Sequence, residues 1–127
     1  MPITIDGFRR LALGLPGVVE AQHMGHPDFR VGGRIFATLG SPDPDWGMVQ
    51  LTPELQEALV HAQPKIFTPV KGGWGRGGAT NVSLRAATVT ALRPALALAH
   101  EYVASKASRK TRVSSPRAAE RPVRRRK

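Results

Sequence analysis

Two histidines three residues apart, His23 and His26, are the side chains in this sequence that point most directly to metal chemistry. A divalent transition metal needs at least a third ligand, and the carboxylate of Glu20 or Asp28 is close enough in sequence to supply one. Residues three apart on a regular strand face opposite sides, so the two imidazoles converge only if Gly25 forms a turn. Because the third ligand is not clear, we favour the alternative, in which the imidazoles pack and form hydrogen bonds within that turn.

Four cationic side chains, Arg30, Arg34, Lys71 and Arg76, stand at or beside glycine-rich turns, and Trp74 lies within the second of these turns. Glycine tolerates a positive φ, so such segments bend sharply. These cations could contact DNA phosphates, and such contacts orient a protein on DNA without reading the base sequence. They could equally be solvated, and both interpretations stay open. Trp74 either stacks on an unpaired base or wedges into a groove, or it caps the edge of the core. We favour the structural role for Trp74, because large aromatic side chains usually gain most from burial.

The sequence shows no evident catalytic site. Ser41 and Ser83 lack the surroundings of a nucleophile elbow, and the glycine-rich loop lacks the Gly-Lys-Ser/Thr ending of a phosphate-binding loop. We therefore expect a protein that is not an enzyme and uses no cofactor. The alternative is a small-molecule or metal-binding domain, with or without enzymatic activity, centred on His23, His26 and Trp74.

The composition indicates one soluble domain. The chain has 127 residues, 41% of them hydrophobic, which is enough for one modest core. It contains no apolar run of the ~20 residues that a membrane span requires, and no cationic leader before an apolar segment. Cysteine is absent, which excludes disulfides, thiolate catalysis and zinc-finger sites. We expect a cytoplasmic protein that does not bind membranes.

Nearly all of the net charge of +10 belongs to one end of the sequence. Residues 106–127 hold ten basic side chains and one acid (+9), whereas residues 1–105 hold nine basic and eight acidic side chains (+1). We expect residues 1–105 to form the domain and residues 106–127, rich in Ser, Arg and Pro, to be a disordered tail. Counterion release gives such a tail affinity for nucleic acid, which we favour over acidic proteins, membrane surfaces or no partner at all. The tail residues expected to contact nucleic acid are Arg109, Lys110, Arg112, Arg124, Arg125, Arg126 and Lys127.

Helix starts and one hairpin are marked by local signals. Asp6 or Thr4 can cap a first helix, and Thr52 followed by Pro53 is typical of a second helix start. The final helix is expected to start at Thr88 or Thr90, with Pro94 in its opening turn. Gly32-Gly33 has the composition of a two-residue hairpin turn.

The pattern of apolar residues predicts five strands and an α+β fold. The order of elements is α-βββ-β-α-β-α, which is typical of helices packed on a central antiparallel sheet of about five strands. Residues 64–70 are expected to be extended, and residues 72–78 to be a glycine-rich loop. The predicted strands comprise residues 19–23, 29–31, 34–39, 47–51 and 79–84.

Several of these motifs together resemble the MmcQ/YjbR family of small bacterial proteins. The resemblance covers roughly residues 8–104 and implies a frataxin-like α+β fold. It also implies the role usually given to the family, DNA binding through a "double wing" of strands and turns. Two positions depart from the family pattern: Ala79 replaces a bulky or polar residue, and Gln50 stands where a Lys is frequent. We expect both changes to remove side chains that could contact a partner on the binding surface. The motifs are Leu15-Pro16-Gly17-Val18, the strand with Glu20, residues 26–31, residues 33–37, Leu51-Thr52-Pro53-Glu54 with Gln56, and residues 72–76.

Our hypothesis from the sequence is therefore a non-enzymatic, cytoplasmic DNA-binding protein. The glycine corners would orient it on the phosphates, and the basic tail would supply most of the electrostatic affinity. This hypothesis requires Arg30, Arg34 and Arg76 to lie on one side of the folded domain.

Overall fold

The computed structural model describes residues 3–23, 25–40 and 44–114; for residue 23 and residues 108–114 it describes the backbone alone. The elements confirm the α+β class, with six strands where the sequence pattern predicts five. They are α1 (Ile5–Leu13), β1 (Val19–His23), β2 (His26–Val31), β3 (Arg34–Leu39), β4 (Trp46–Gln50), α2 (Pro53–Ala62), β5 (Phe67–Pro69), α3 (Gly73–Arg76), β6 (Ala79–Ser83) and α4 (Val89–Ser114).

Threonine hydroxyls cap the three longer helices. Thr4 accepts a hydrogen bond from the backbone of Gly7 at 2.9 Å, and Thr52 accepts one from Leu55 at 3.1 Å. At the start of α4, Thr88 plays the same part, because Ala91 donates to its hydroxyl at 3.2 Å. These contacts satisfy backbone N–H groups that have no partner within the first helical turn.

The six strands form one antiparallel sheet in the order β1-β2-β3-β4-β6-β5. Gly32 and Gly33 connect β2 to β3 with φ values of 61° and 80°, the conformation that a two-residue hairpin turn requires. The pairing between β2 and β3 shifts register after Phe29, where β3 carries one extra residue. The sixth strand, β5, lies within the segment that the sequence predicts to be extended.

The core lies between the sheet and helices α1 and α4. Phe8 of α1 is fully buried and packs against Phe29 of β2, with ring centroids 6.0 Å apart. On α4, the imidazole of His100 meets the ring of Phe36 edge to face, at 5.5 Å between centroids. Its Nε2 lies 2.7 Å from the carbonyl oxygen of Pro16, so this nitrogen carries the proton and donates. His100 thereby joins α4 to the loop after α1.

Helix α4 is longer than the sequence pattern indicates. It continues to Ser114, so the predicted domain boundary at residue 105 falls inside the helix, and Pro94 lies inside it rather than in its opening turn. A Cβ on Gly32 would come 2.6 Å from the Cβ of Ala107, so the β2–β3 turn packs directly on this part of α4. The prediction of a disordered tail after Ser114 lies outside the described residues. In the described part of the chain, α4 and the other helices are too short or too polar to cross a bilayer.

Candidate functional site

The antiparallel register brings the glycine corners to the same end of the sheet. The β2–β3 turn adjoins the end of β3 that lies beside the C-terminal end of β4. That end of β4 pairs with the start of β6, which the glycine-rich loop precedes. The C-terminal half of α4 reaches the same end through its contact with Gly32. We call the cations gathered there the basic end; they are Arg30, Arg34, Lys71, Arg76 and Lys106.

Arg30 differs from the other members of the basic end because it is paired with a buried carboxylate. Asp28 is 0% exposed, and Arg30 donates to it through Nε at 2.8 Å and through Nη2 at 3.2 Å. These hydrogen bonds first, and the negative charge of Asp28 second, raise the pKa of the Arg30 guanidinium above its ordinary value. The sequence gives no sign that Asp28, considered above as one possible third ligand of a metal, would be buried. A buried charge is costly unless it is paired, so Arg30 stabilises the fold by pairing with the buried Asp28 carboxylate.

Replacing Arg30 by Ala should therefore destabilise the fold clearly more than replacing Arg34 by Ala. Only the first change takes a guanidinium away from the buried Asp28 carboxylate. Adding Asp28→Asn to Arg30→Ala should recover part of the loss, since the amide carries no charge. Urea unfolding midpoints of the four chains test this, and equal shifts for Arg30→Ala and Arg34→Ala would contradict it.

A cavity of about 380 Å³ opens between the basic end and α4. Its size is at the lower end of the range of small-ligand sites, which is ~300–1,000 Å³. Lys106 lies with its Nζ 5.3 Å from the centre of the Tyr102 ring, a cation–π contact that holds the lysine near the cavity. Lys106, assigned to the disordered tail from the sequence, thus belongs to the folded domain. The lining residues are Arg30, Gly33, Arg34, Ile35, Gln50, Tyr102, Val103 and Lys106.

Gln50 links this cavity to the glycine-rich loop. Its Nε2 donates to the carbonyl oxygen of Leu51 at 3.1 Å and to that of Gly77 at 3.4 Å. The side chain at this position, where the resembled family often has Lys, therefore holds the neighbouring loop in place. Ala79, the second departure, is 1% exposed. This alanine makes no surface contact itself, and the loss of a contact relative to the family stays a prediction.

The glycine-rich loop contains one short helix, α3, and presents Trp74 to solvent. Trp74 is 75% exposed, so the role at the edge of the core that we favoured from the sequence is wrong. The loop instead buries Gly75, because a Cβ there would overlap the carbonyl oxygen of Val70. With the backbone of α3 seated this closely, the side chains of Trp74 and Arg76 remain on the outside.

The histidine pair lies at the opposite end of the sheet. His23 and His26 are backbone partners in the register of the β1–β2 hairpin, and Gly25 has the positive φ, 80°, that its turn requires. His26 lies against Gly40, whereas the glycine-rich loop adjoins the other end of β4 and β6. The rival site of His23, His26 and Trp74 is therefore not assembled. Among the described residues, no three His, Cys, Asp or Glu side chains form a group that could hold a metal ion.

The structure thus brings together all five cations of the basic end and separates them from the histidines. Sequence reasoning missed Tyr102 and the placement of Lys106, which the helical spacing after Val103 could have indicated. The side chains expected to contact nucleic acid from the tail lie outside the described residues. They are Arg109, Lys110, Arg112, Arg124, Arg125, Arg126 and Lys127.

Comparisons with known proteins add a family and a fold. The family model YjbR matches residues 13–101. The crystal structure of the Deinococcus radiodurans protein DR2400, which carries a DUF419 domain, is similar with a TM-score of 0.70, 21% sequence identity, and coverage of 90% of each chain. At this identity the likeness is one of fold. No curated protein matches the sequence.

Proposed function

The chain belongs to the YjbR family, and from this membership and the charge of the basic end we propose that it is a non-enzymatic DNA-binding protein. The folded domain contacts phosphates through Arg34, Lys71, Arg76 and Lys106, and the segment after α4 adds further cations. The proposal also places the protein in the cytoplasm. The single observation that carries the proposal is the gathering, at one end of the sheet, of cations that have no acidic partner in the described part of the chain.

The ion pairs of the described residues separate the basic end from the rest of the surface. Arg10 and Arg85 pair with acidic side chains at 2.8 and 2.9 Å. Arg9 pairs at 3.1 Å with Glu20 of β1, which is next to Val19, the cross-strand partner of Arg30. Among the described residues Lys65 and Arg93 also lack an acidic partner. Lys65 lies beside the end of β6, away from the glycine-rich loop, and Arg93 lies near Arg10 and Leu15. At the basic end only Arg30 is paired, among the residues that the structure describes. Its remaining cations are available to an external anion, the arrangement that phosphate contacts use.

The contact between the β2–β3 turn and α4 also supports the proposal. Because Gly32 packs on Ala107, the basic sequence that follows residue 107 starts beside the basic end. Phosphate contacts from both parts can therefore fall on one stretch of DNA. Such contacts release counterions and bind without regard to base sequence, so we propose sequence-independent binding.

Changing Arg34 or Arg76 to Gln should weaken duplex DNA binding about equally for all sequences. Each change removes one phosphate contact and should lower the slope of log K against log salt by about 1 between roughly 50 and 200 mM salt. The double variant should show the sum. Fluorescence anisotropy with labelled duplexes of two unrelated sequences measures both quantities.

The matched control for these variants is Arg85→Gln, which removes an exposed cation, like Arg76, at the opposite end of the sheet. It should leave affinity and slope unchanged. A loss equal to that of Arg34→Gln would show that total charge, rather than the basic end, controls binding. Arg30 is left intact in all of these chains because of its pairing with Asp28.

The cavity favours a second candidate function, binding of a small phosphorylated or carboxylated molecule. Arg34 and Lys106 would neutralise its charge, and the hydroxyl of Tyr102 could donate a hydrogen bond. The two candidates differ in one observable. A small-molecule site would bind a mononucleotide as strongly as an oligonucleotide, whereas a DNA-binding surface gains affinity with the number of phosphates contacted.

A further inference from the structure

Among the described residues, Trp74 is the most exposed large hydrophobic side chain, and the backbone that carries it is held by hydrogen bonds. A tryptophan that becomes buried removes about 150–250 Å² from water, which is one of the largest single gains a side chain offers. Trp74 forgoes this gain at 75% exposure, whereas the other tryptophan, Trp46, is half-buried in β4. An indole exposed to this extent on a mobile loop would need no explanation, but the loop that carries Trp74 is tightly held.

Backbone hydrogen bonds close the loop on itself. The N–H of Arg76 donates to Gly72 at 3.2 Å, that of Gly77 to Gly73 at 3.0 Å, and that of Gly78 to Gly75 at 3.0 Å. From α2, the Nε2 of Gln56 donates to the carbonyl oxygens of Gly75 and Ala79, at 2.8 and 2.9 Å.

Close backbone approach fixes the loop to its neighbours as well. Gly75 is seated on the carbonyl of Val70, and Gly78 on that of Leu51, with no space for a Cβ at either position. These contacts restrict the backbone of the loop, whereas the side chain of Trp74 keeps its own rotations. A partner that covers the indole therefore pays little conformational entropy, which is the condition for a preorganised contact.

The neighbours of Trp74 indicate what kind of partner fits. Arg76 folds back over the start of α3, its Nη2 being 3.6 Å from the point where a Cβ on Gly73 would lie. Lys71 is three residues before Trp74 and is exposed. A flat aromatic surface with a cation on either side of it in the sequence matches a nucleotide whose base is unpaired, since the base can stack while the flanking phosphates meet the charges. In a duplex, by contrast, the base faces are already stacked on one another.

We propose that Trp74 is a stacking site for an unpaired base and that the basic end prefers single-stranded over duplex DNA. This inference rests on the proposed DNA-binding function and deepens it by naming the form of the ligand. Arg34 and Lys106 then hold the strand on one side of Gln50, and Arg76 and Lys71 hold it beside the indole.

The test compares Trp74→Leu with the full wild-type chain, using oligo-dT of about 15 nucleotides and a duplex of equal length. Trp74→Leu should lower the affinity for oligo-dT on the order of tenfold and leave the affinity for the duplex unchanged. Trp74→Phe should retain most of the affinity, because the phenyl ring also stacks. Val89→Ala, which shortens an exposed apolar side chain at the start of α4, is the matched control and should change neither affinity.

Fluorescence gives a second readout that electrostatic binding alone would not produce. In a Trp46→Phe chain, Trp74 is the sole tryptophan, and oligo-dT should quench its emission at concentrations that follow the anisotropy curve.

The outcomes separate this inference from the proposed function. If the wild-type chain binds both DNAs with a steep salt dependence and Trp74→Leu binds oligo-dT equally well, stacking is wrong and the proposed function stands. If the wild-type chain binds neither DNA, both are wrong. If Trp74→Leu instead changes the sedimentation of the protein without DNA, the indole serves contact between copies of the chain, and stacking is wrong.

Discussion

A chain shortened to residues 1–114 should bind duplex DNA far more weakly than the full chain and with a much shallower dependence on salt. The deletion removes six cations, Arg117, Arg121, Arg124, Arg125, Arg126 and Lys127, and one acid, Glu120. Each phosphate contact adds about 0.9 to the slope of log K against log salt, so six lost contacts lower that slope by up to about 5. We expect the affinity near 0.15 M salt to fall on the order of a hundredfold or more.

The position of the cut follows from the structure. A deletion from residue 106, the boundary indicated by the sequence, would remove Lys106 from the cavity and Ala107 from its contact with Gly32. Loss of binding would then mix a charge effect with damage to the fold. A cut after Ser114 keeps α4 whole, and an unchanged unfolding midpoint of the shortened chain would confirm that the domain is intact.

The control for the deletion is a full-length chain in which residues 115–127 are shuffled. Because counterion release depends on the number of cations rather than their order, the shuffled chain should bind like the wild type. Loss of binding on shuffling would mean that a specific motif is recognised. Equal affinity of shortened and full chains at every salt concentration would show that the segment takes no part in binding.

Changing Gly78 to Ala should destabilise the protein strongly, whereas the same change at its neighbour Gly77 should have little effect. Gly78 has φ 110°, and a Cβ there would overlap the backbone oxygen of Leu51 and lie 2.9 Å from the carbonyl carbon of Thr52. Backbone strain and overpacking together should lower the free energy of unfolding by about 3 kcal/mol or more. Gly77 has φ −84°, and its Cβ would meet ordinary contacts at 3.5 and 3.6 Å, so we expect a change within about 0.5 kcal/mol.

Urea unfolding of the two variants measures this difference. Gly33→Ala separates the two causes, because Gly33 has φ 80° but nothing within 4 Å of its Cβ position. Strain alone should cost that variant about 1–2 kcal/mol, less than Gly78→Ala. Equal losses for the Gly77 and Gly78 variants would contradict the seating of the loop on Leu51.

The prediction of the elements was largely correct because their signals are local. A threonine hydroxyl one residue before a helix, two successive glycines between strands, and alternating apolar side chains act over a few residues, and the sequence displays all of them. The predictions missed or shortened elements where local signals are weak. β5 has three residues and α3 has four, and α4 continues to Ser114 through a polar stretch in which Ala107 is held by its contact with Gly32.

The candidate site was predicted in part. Arg30, Arg34, Lys71 and Arg76 were identified by type and by their place beside glycines, and the structure places all four at one end of the sheet. Their grouping with Lys106 and Tyr102, and the pairing of Arg30 with buried Asp28, depend on residues far apart in the chain or on burial. Trp74 was assigned to the wrong environment, because the general tendency of tryptophan to be buried says nothing about a particular loop.

Residue types and their order were enough to predict the class of fold, the family and the cationic character of the corners and of residues 106–127. Contacts between distant segments bring the corner charges to one end of the sheet, and the fold buries Asp28, with which Arg30 pairs. The fold also decides which glycines of the Trp74 loop are indispensable. In the sequence Gly77 and Gly78 are identical neighbours. They differ because the backbone of Leu51 lies against Gly78 alone. Such a contact between distant segments cannot be read from the local composition.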